Sequence, residues 1–211
     1  MTTREDFLAE VRLALGRDRT APIPAVPGRR PARPLGDPQV EMTAVLSEIG
    51  KLGGKTQQMS ADGLHEALAR LVEEEGVRKA TLWQTDALRK LGVEQVLAGL
   101  DVEIVPPHAG KHALANCDLG ITGADAALPE TGTLLLRSTP DRPRMVSLVP
   151  RIHLAIISPE ILVSDLGPAF ERVKGEGYWV FVTGPSRTAD IELTVTIGVH
   201  GPKALHVWSL T

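Results

Sequence analysis

Gly120-Ile-Thr-Gly-Ala-Asp-Ala-Ala-Leu-Pro-Glu-Thr-Gly-Thr-Leu-Leu-Leu136 is the stretch on which the fold turns. Ile121 closes an apolar strand that begins near Asp118. Gly123 permits a tight backbone, and Ala124–Leu128 has room for about one helical turn. Pro129 ends that turn, because it lacks an N–H and restricts the residue before it. Glu130-Thr131-Gly132-Thr133 then places a carboxylate, two hydroxyls and bare backbone directly before the apolar run Leu134–Leu136. Polar groups are costly to bury without partners, so this cluster is either a structured turn or a ligand loop.

Upstream of that stretch, helical and strand patterns alternate. The spacing predicts a helix through Val45 and Leu52 closed by Gly53-Gly54, a strand over Lys55–Met59, and a helix capped by Ser60 running to Gly76. A strand over Lys79–Trp83, a helical stretch from Thr85 toward Leu100, a strand over Val102–Val105 and a short turn over Ala113–Cys117 follow. This rhythm implies a largely parallel sheet covered on both faces. Downstream, the apolar runs Thr133–Arg137, Met145–Val149 and His153–Ile157 lie too close together for crossover helices. They predict strands in an antiparallel or mixed part. A helix near Asp165–Lys174 and strands over Tyr178–Val182 and Leu205–Trp208 complete an α/β body.

The N-terminal segment differs in kind. Thr2 and Glu5 fit a capping box, and Leu8, Val11 and Leu15 fall on one helical stripe. Six prolines between Arg17 and Pro38, interspersed with Arg29, Arg30 and Arg33, exclude a regular helix or central strand there. The chain therefore divides into a helix and Pro/Arg-rich arm over 1–39 and an α/β domain over 40–211. A capped helix on a long arm is suited to holding a neighbouring subunit, which makes a homo-oligomer through the arm an expectation.

Composition narrows the function classes. The net charge of −3 over 211 residues favours neither nucleic acid nor an anionic membrane. No apolar run approaches the ~20 residues of a membrane span, and no signal-peptide core is present, so a cytoplasmic protein is expected. Cys117 is the only cysteine. One thiol makes no internal disulfide, no cysteine-based zinc knuckle and no iron–sulfur cluster. No Gly-x-Gly-x-x-Gly with a following acid and no Walker loop occurs, so dinucleotide and P-loop readings lack support and the cofactor stays unassigned.

Chemistry-bearing residues gather in three further stretches. Thr183-Gly-Pro-Ser-Arg-Thr-Ala-Asp-Ile-Glu192 follows a strand, where open α/β sheets place ligands. Gly184 allows close approach, Ser186 and Thr188 offer hydroxyls, and Arg187 supplies a fork suited to carboxylate or phosphate. Asp190 and Glu192 are placed to orient Arg187 or a proton; the alternative is a capped surface turn. Gly198-Val-His-Gly-Pro202 sets His200 on a tight loop, as an acid or base or as a plain turn histidine. Asp141-Arg-Pro-Arg144 is either a solvated turn or an anion clamp. His153, at the start of an apolar strand, reads as a satisfied strand-end histidine. His153, His200, Asp190 and Glu192 lack metal-ligand spacing, so no metal site is assigned.

Taken together, Gly120–Asp125, Glu130–Thr133, Pro150 with His153, Thr183–Glu192 and Gly198–Pro202 resemble the LUD (lactate utilisation) domain family over residues 40–211. The resemblance implies a three-layer mixed sheet between helices, similar to the glucosamine-6-phosphate isomerase, ribose-5-phosphate isomerase and CoA-transferase fold. It also implies membership of a three-protein system that oxidises L-lactate to pyruvate, in which the partners carry iron–sulfur clusters. This chain is then a non-redox component that binds a small carboxylate or a partner through the loops at 120–133 and 183–202. Thr122, Gly123, Thr131, Gly132, Thr133, Gly184, Ser186, Arg187 and Thr188 are the candidate ligand-binding residues. His200, with Glu130 or Asp190, is the candidate for proton handling. The alternative is a stand-alone isomerase or acyl-CoA transferase acting on an anionic small molecule, with Glu130 as nucleophile.

Overall fold

The computed structural model describes residues 3–16, 25, 28, 31–175, 177–188 and 196–211. Their contacts divide the chain into two compact units, residues 1–31 and 32–211.

In the first unit, helix α1 (Arg4–Ala14) carries the capping box one residue later than the sequence pattern suggests. Thr3 is the N-cap, accepting from the Asp6 N–H, while the Asp6 carboxylate accepts from the Thr3 N–H. Both registers offer a hydroxyl and an acid three apart, so the pattern alone does not separate them. Phe7, Val11 and Leu15 are exposed on this helix.

The second unit opens with helix α2 (Pro38–Lys51), capped by Asp37, which accepts from the N–H groups of Gln39 and Val40. Arg33 grips the Glu41 carboxylate on the first turn through two bonds of 2.6 and 2.7 Å, and the Gly36 N–H donates to the same group. The chain then alternates through β1 (Lys55–Met59), α3 (Leu64–Glu75), β2 (Lys79–Leu82), α4 (Asp86–Lys90), α5 (Val93–Gly99), β3 (Glu103–Ile104), α6 (Lys111–Ala115) and β4 (Leu119–Thr122). After β5 (Ala126–Leu128) and β6 (Thr133–Ser138) come α7 (Met145–Leu148), β7 (Ile152–Ile157), α8 (Leu166–Arg172) and β8 (Tyr178–Val182). A short hairpin of β9 (Arg187–Thr188) and β10 (Thr196–Ile197) precedes β11 (Ala204–Leu210).

Six strands form one parallel sheet in the order β1-β11-β7-β4-β2-β3. The order follows burial. Central β4 and β7 are buried at every position, as strands covered on both faces must be. The edges are the polar strands, Lys-Thr-Gln-Gln-Met in β1 and Glu-Ile in β3.

The antiparallel part forms a sheet of its own, β5-β6-β8. Its central strand β6 is apolar on both faces because two cores need it. Leu134 and Leu136 pack into the main core, while Leu135 packs with Ala126, Leu128, Val163, Ala169 and Val173 in a second cluster that includes α8. The strand's period of two thus serves opposite layers.

Four local expectations are overturned. His153–Ile157, expected in the antiparallel part, is β7 of the parallel sheet, paired with β4 and β11. Ser60 makes no side-chain cap; it precedes a short 3-10 turn over Ala61–Gly63, and α3 starts only at Leu64. Ala126–Leu128 is a strand rather than a helical turn, paired to β6 with Leu128 opposite Thr133. Partners across the hairpin and full burial outweigh local preference. Met145–Val149 is helical over Met145–Leu148 rather than a strand; a four-residue apolar run carries no period long enough to tell the two apart. Helix α7 lies directly on β4. A Cβ added to Gly120 would stand 1.9 Å from the Val146 carbonyl oxygen, so only glycine lets the two backbones meet.

Pro129, Glu130, Thr131 and Gly132 form the hairpin turn between β5 and β6, closed by the Gly132 N–H donating to the Leu128 carbonyl at 3.0 Å. Gly132 has φ +62°, and a Cβ there would lie 2.7 Å from the Ile49 nitrogen in α2. Both the left-handed backbone and the helix behind it demand glycine.

Candidate functional site

A cavity of about 160 Å³ lies where the two sheets face each other. The parallel sheet contributes His153 of β7 and Leu205 of β11, each the second residue of its strand. Val180, Phe181 and Val182 of β8 form the facing wall, and Ser147 and Leu148 of α7 line it as well. Two loops complete the rim: Thr183–Ser186 after β8, and His200–Pro202 before β11. The cavity therefore sits at the amino ends of β7 and β11. The sequence places the 183 loop at the carboxyl end of a strand of an open parallel sheet, but β8 belongs to the antiparallel sheet, so the usual carboxyl-edge geometry does not apply.

The loops are tied to each other and to the 130s hairpin. The Ser186 N–H donates to the Pro202 carbonyl at 3.1 Å, and the Gly198 N–H donates to the Ser186 carbonyl at 2.9 Å. Thr131, Thr133 and Thr183 form a hydroxyl chain with steps of 2.8 and 2.9 Å. Thr133 is buried, while Thr131 and Thr183 reach solvent at either end. The two polar turns thus meet at one edge of the cavity.

His153 is the least exposed polar residue lining the cavity, at 1%. Burial holds its imidazole down at about 4, so it is neutral at physiological pH. Its Nε2 lies 2.8 Å from Thr122 Oγ1 on the neighbouring strand β4. The register explains the meeting: His153 pairs with Gly120, so the side chain two residues further on, Thr122, shares its face. His200, at the rim, is exposed.

The predicted residues separate accordingly. Gly184, Ser186 and His200 line the cavity; Thr131 and Thr133 reach it through Thr183; Thr122 reaches it through His153. Glu130 is exposed at the hairpin tip, and neither it nor Gly123, Gly132 or Thr188 lines the cavity. The Arg187 guanidinium donates to the Leu52 carbonyl at the C-cap of α2, where a cation also complements the helix dipole. Asp190 and Glu192 lie outside the described residues. Among the described residues, no group of three or more His, Cys, Asp or Glu side chains is gathered to hold a metal ion.

Arg142 and Arg144 have structural partners. Arg142 pairs with Asp125 at 2.7 Å and stacks 5.6 Å over the Trp83 ring, while Arg144 lies 4.4 Å over the Tyr178 ring. The carboxylate of Asp125 also accepts from the Arg137 N–H. Sequence reasoning missed Ser147 and Thr183, and read His153 only as a strand-end residue. The usable signal was alternation: with β4 and β7 paired, His153, Gly120 and Thr122 fall on one face.

Known proteins of similar sequence share this body. The LUD domain family model matches residues 48–208. The chain is 32% identical to lactate utilization protein C of Halalkalibacterium halodurans, with 94% of each chain covered. It is 31% identical to the protein of the same name from an Exiguobacterium species, over 96% of this chain and 93% of the relative. Among solved structures, a DUF162 family protein from Deinococcus radiodurans matches with a TM-score of 0.64 at 22% identity, covering 84% of this chain and all of that one. That likeness speaks for the fold. With the family model matching residues 48–208, well over half of the chain, and relatives above 30% identity along nearly the whole chain, the protein belongs to the LUD domain family.

Proposed function

We propose that this protein acts in lactate utilisation as a non-redox component of a lactate-oxidising system, binding a small carboxylate in the cavity between its sheets. The observation that carries the reading is the cavity itself: about 160 Å³, walled by Leu148, Val180, Val182 and Leu205, with hydroxyls and imidazoles at His153, Ser186 and His200. One water needs about 10–15 Å³ of such space, so a three-carbon acid has room. The apolar wall suits its methyl group and the polar rim suits its oxygens. Relatives named for lactate utilisation support the choice of acid.

Oxidation of lactate to pyruvate releases two electrons and two protons. A chain whose only cysteine is Cys117 builds no cysteine-ligated cluster. The electrons therefore pass to iron–sulfur partner proteins, and this chain contributes binding and positioning. Titration calorimetry of the purified protein with lactate and with pyruvate, together with co-purification with the cluster-bearing proteins, tests the proposal. Heat from at least one acid and a retained partner are expected; silence in both assays overturns it. Within the same proposal α1 contacts a second copy, so a chain lacking residues 1–31, which keeps Arg33 on Glu41, should run as a smaller species in light scattering.

A further inference from the structure

The His153 ring has two nitrogens, and its surroundings decide which one carries the proton. Nε2 is 2.8 Å from Thr122 Oγ1. Thr122 is fully buried, and the ring is its hydroxyl's one hydrogen-bond partner among the described residues. If Nε2–H donated to Oγ1, the threonine hydrogen would be left buried with no acceptor, whereas an Nδ1–H belongs to a ring that lines the cavity and can be met there by water or ligand. An unsatisfied buried donor is costly, whereas a hydroxyl oxygen with spare lone pairs costs much less. The Thr122 O–H therefore donates to an unprotonated Nε2. In a neutral ring the proton then resides on Nδ1.

We infer that Thr122 is a positioning residue that locks His153 as the Nδ1–H tautomer, so that the inner wall of the cavity offers a fixed donor to an acceptor oxygen of the ligand. The inference rests on the cavity being the ligand site and adds the ligand's class: an acid presenting a carboxylate or keto oxygen to the imidazole. A donor-only contact at this depth favours an oxygen that needs only to accept. A 2-oxo acid meets that requirement fully. A 2-hydroxy acid brings a hydroxyl hydrogen that must find its own acceptor. Pyruvate is thus expected to bind several-fold more tightly than lactate. The ring's neutrality, which burial enforces, keeps the donor in one form across the physiological range.

Nitrogen-15 NMR of histidine-labelled protein reads the tautomer without any ligand. In the wild type His153 should show a protonated Nδ1 and an unprotonated Nε2. Thr122→Val, which keeps the shape and removes the hydroxyl, should mix or invert the two forms, and Thr122→Ser should restore them. Melting curves of both variants establish that they are folded. Adding pyruvate should shift the His153 Nδ1 resonance in the wild type and less in Thr122→Val. An Nε2–H ring in the wild type, or an unchanged tautomer in Thr122→Val, overturns the positioning role. A correct tautomer that pyruvate leaves untouched overturns the recognition step. Calorimetric silence toward both acids is the separate signature of failure of the cavity as a carboxylate site.

Discussion

Thr133 and Thr183 are fifty positions apart in sequence, yet their hydroxyls lie 2.9 Å apart. That contact joins the β5–β6 hairpin to the loop that lines the cavity. Thr133→Val removes the middle member of the chain. Because Thr131 and Thr183 are exposed, water can replace the lost partner, and the expected cost is about 1 kcal/mol. Urea unfolding measures it, and a matching loss of pyruvate affinity should appear in calorimetry. A variant as stable and as tightly binding as the wild type would show that the bond does not position the loop.

Gly132→Ala should be far more damaging than any other single change in the hairpin. The added carbon meets α2 at 2.7 Å, and the backbone at φ +62° is strained for alanine. A loss of at least about 2 kcal/mol is expected, read as a fall in the urea midpoint. Thr131→Ala, on the exposed side of the same turn, should stay close to wild type.

Acid should weaken the fold in two stages. His153 and His206 are each held at about 4 against an ordinary 6.5, mainly by burial. Below 6.5 the unfolded chain takes up protons that the folded chain refuses, so stability present above that pH falls progressively toward pH 4. Glu41, held at about 2 against 4.5 chiefly by Arg33, extends the loss from 4.5 down to 2. Unfolding midpoints at pH 7, 5.5 and 4.5 should decline in order. His206→Asn should flatten the first stage, since at this site the amide cannot titrate. A profile level from 7 to 4.5 would contradict the buried, neutral state of both rings.

Arg187→Ala distinguishes a helix cap from an anion ligand. With the guanidinium on Leu52, its loss should fray the end of α2 and lower the melting temperature slightly. Pyruvate heats should persist. Loss of binding with an unchanged melting temperature would move Arg187 into the ligand site.

The parallel half of the fold was legible because its signals are long. Strands such as Lys55–Met59 and Lys79–Leu82 and the helices between them repeat often enough for their periods to be read. His153–Ile157 was legible as a strand but not as a member of this sheet, because the excursion through β5 and β6 returns the chain to it without a regular crossover helix. Met145–Val149 and Ala124–Leu128 were misread because four or five residues carry no reliable period, and long-range pairing decided their state. The meeting of two polar turns beside a cavity was legible in outline. The centre of the site was not. Arg187 and Glu130 look like chemistry in a linear sequence, yet one holds a helix end and the other tops a hairpin. His153 looks like a strand residue, and it becomes the least exposed polar residue of the cavity only through the register of β4 against β7.

Gly120 carries a final implication. Ser147 and Leu148 reach the cavity only because α7 rests against strand β4 with nothing between the backbones. Any substituent on residue 120 becomes a wedge beneath that helix, prising away one side of the chamber while leaving every polar group in it chemically intact. The space available to a ligand is thus set by a carbon atom the chain omits.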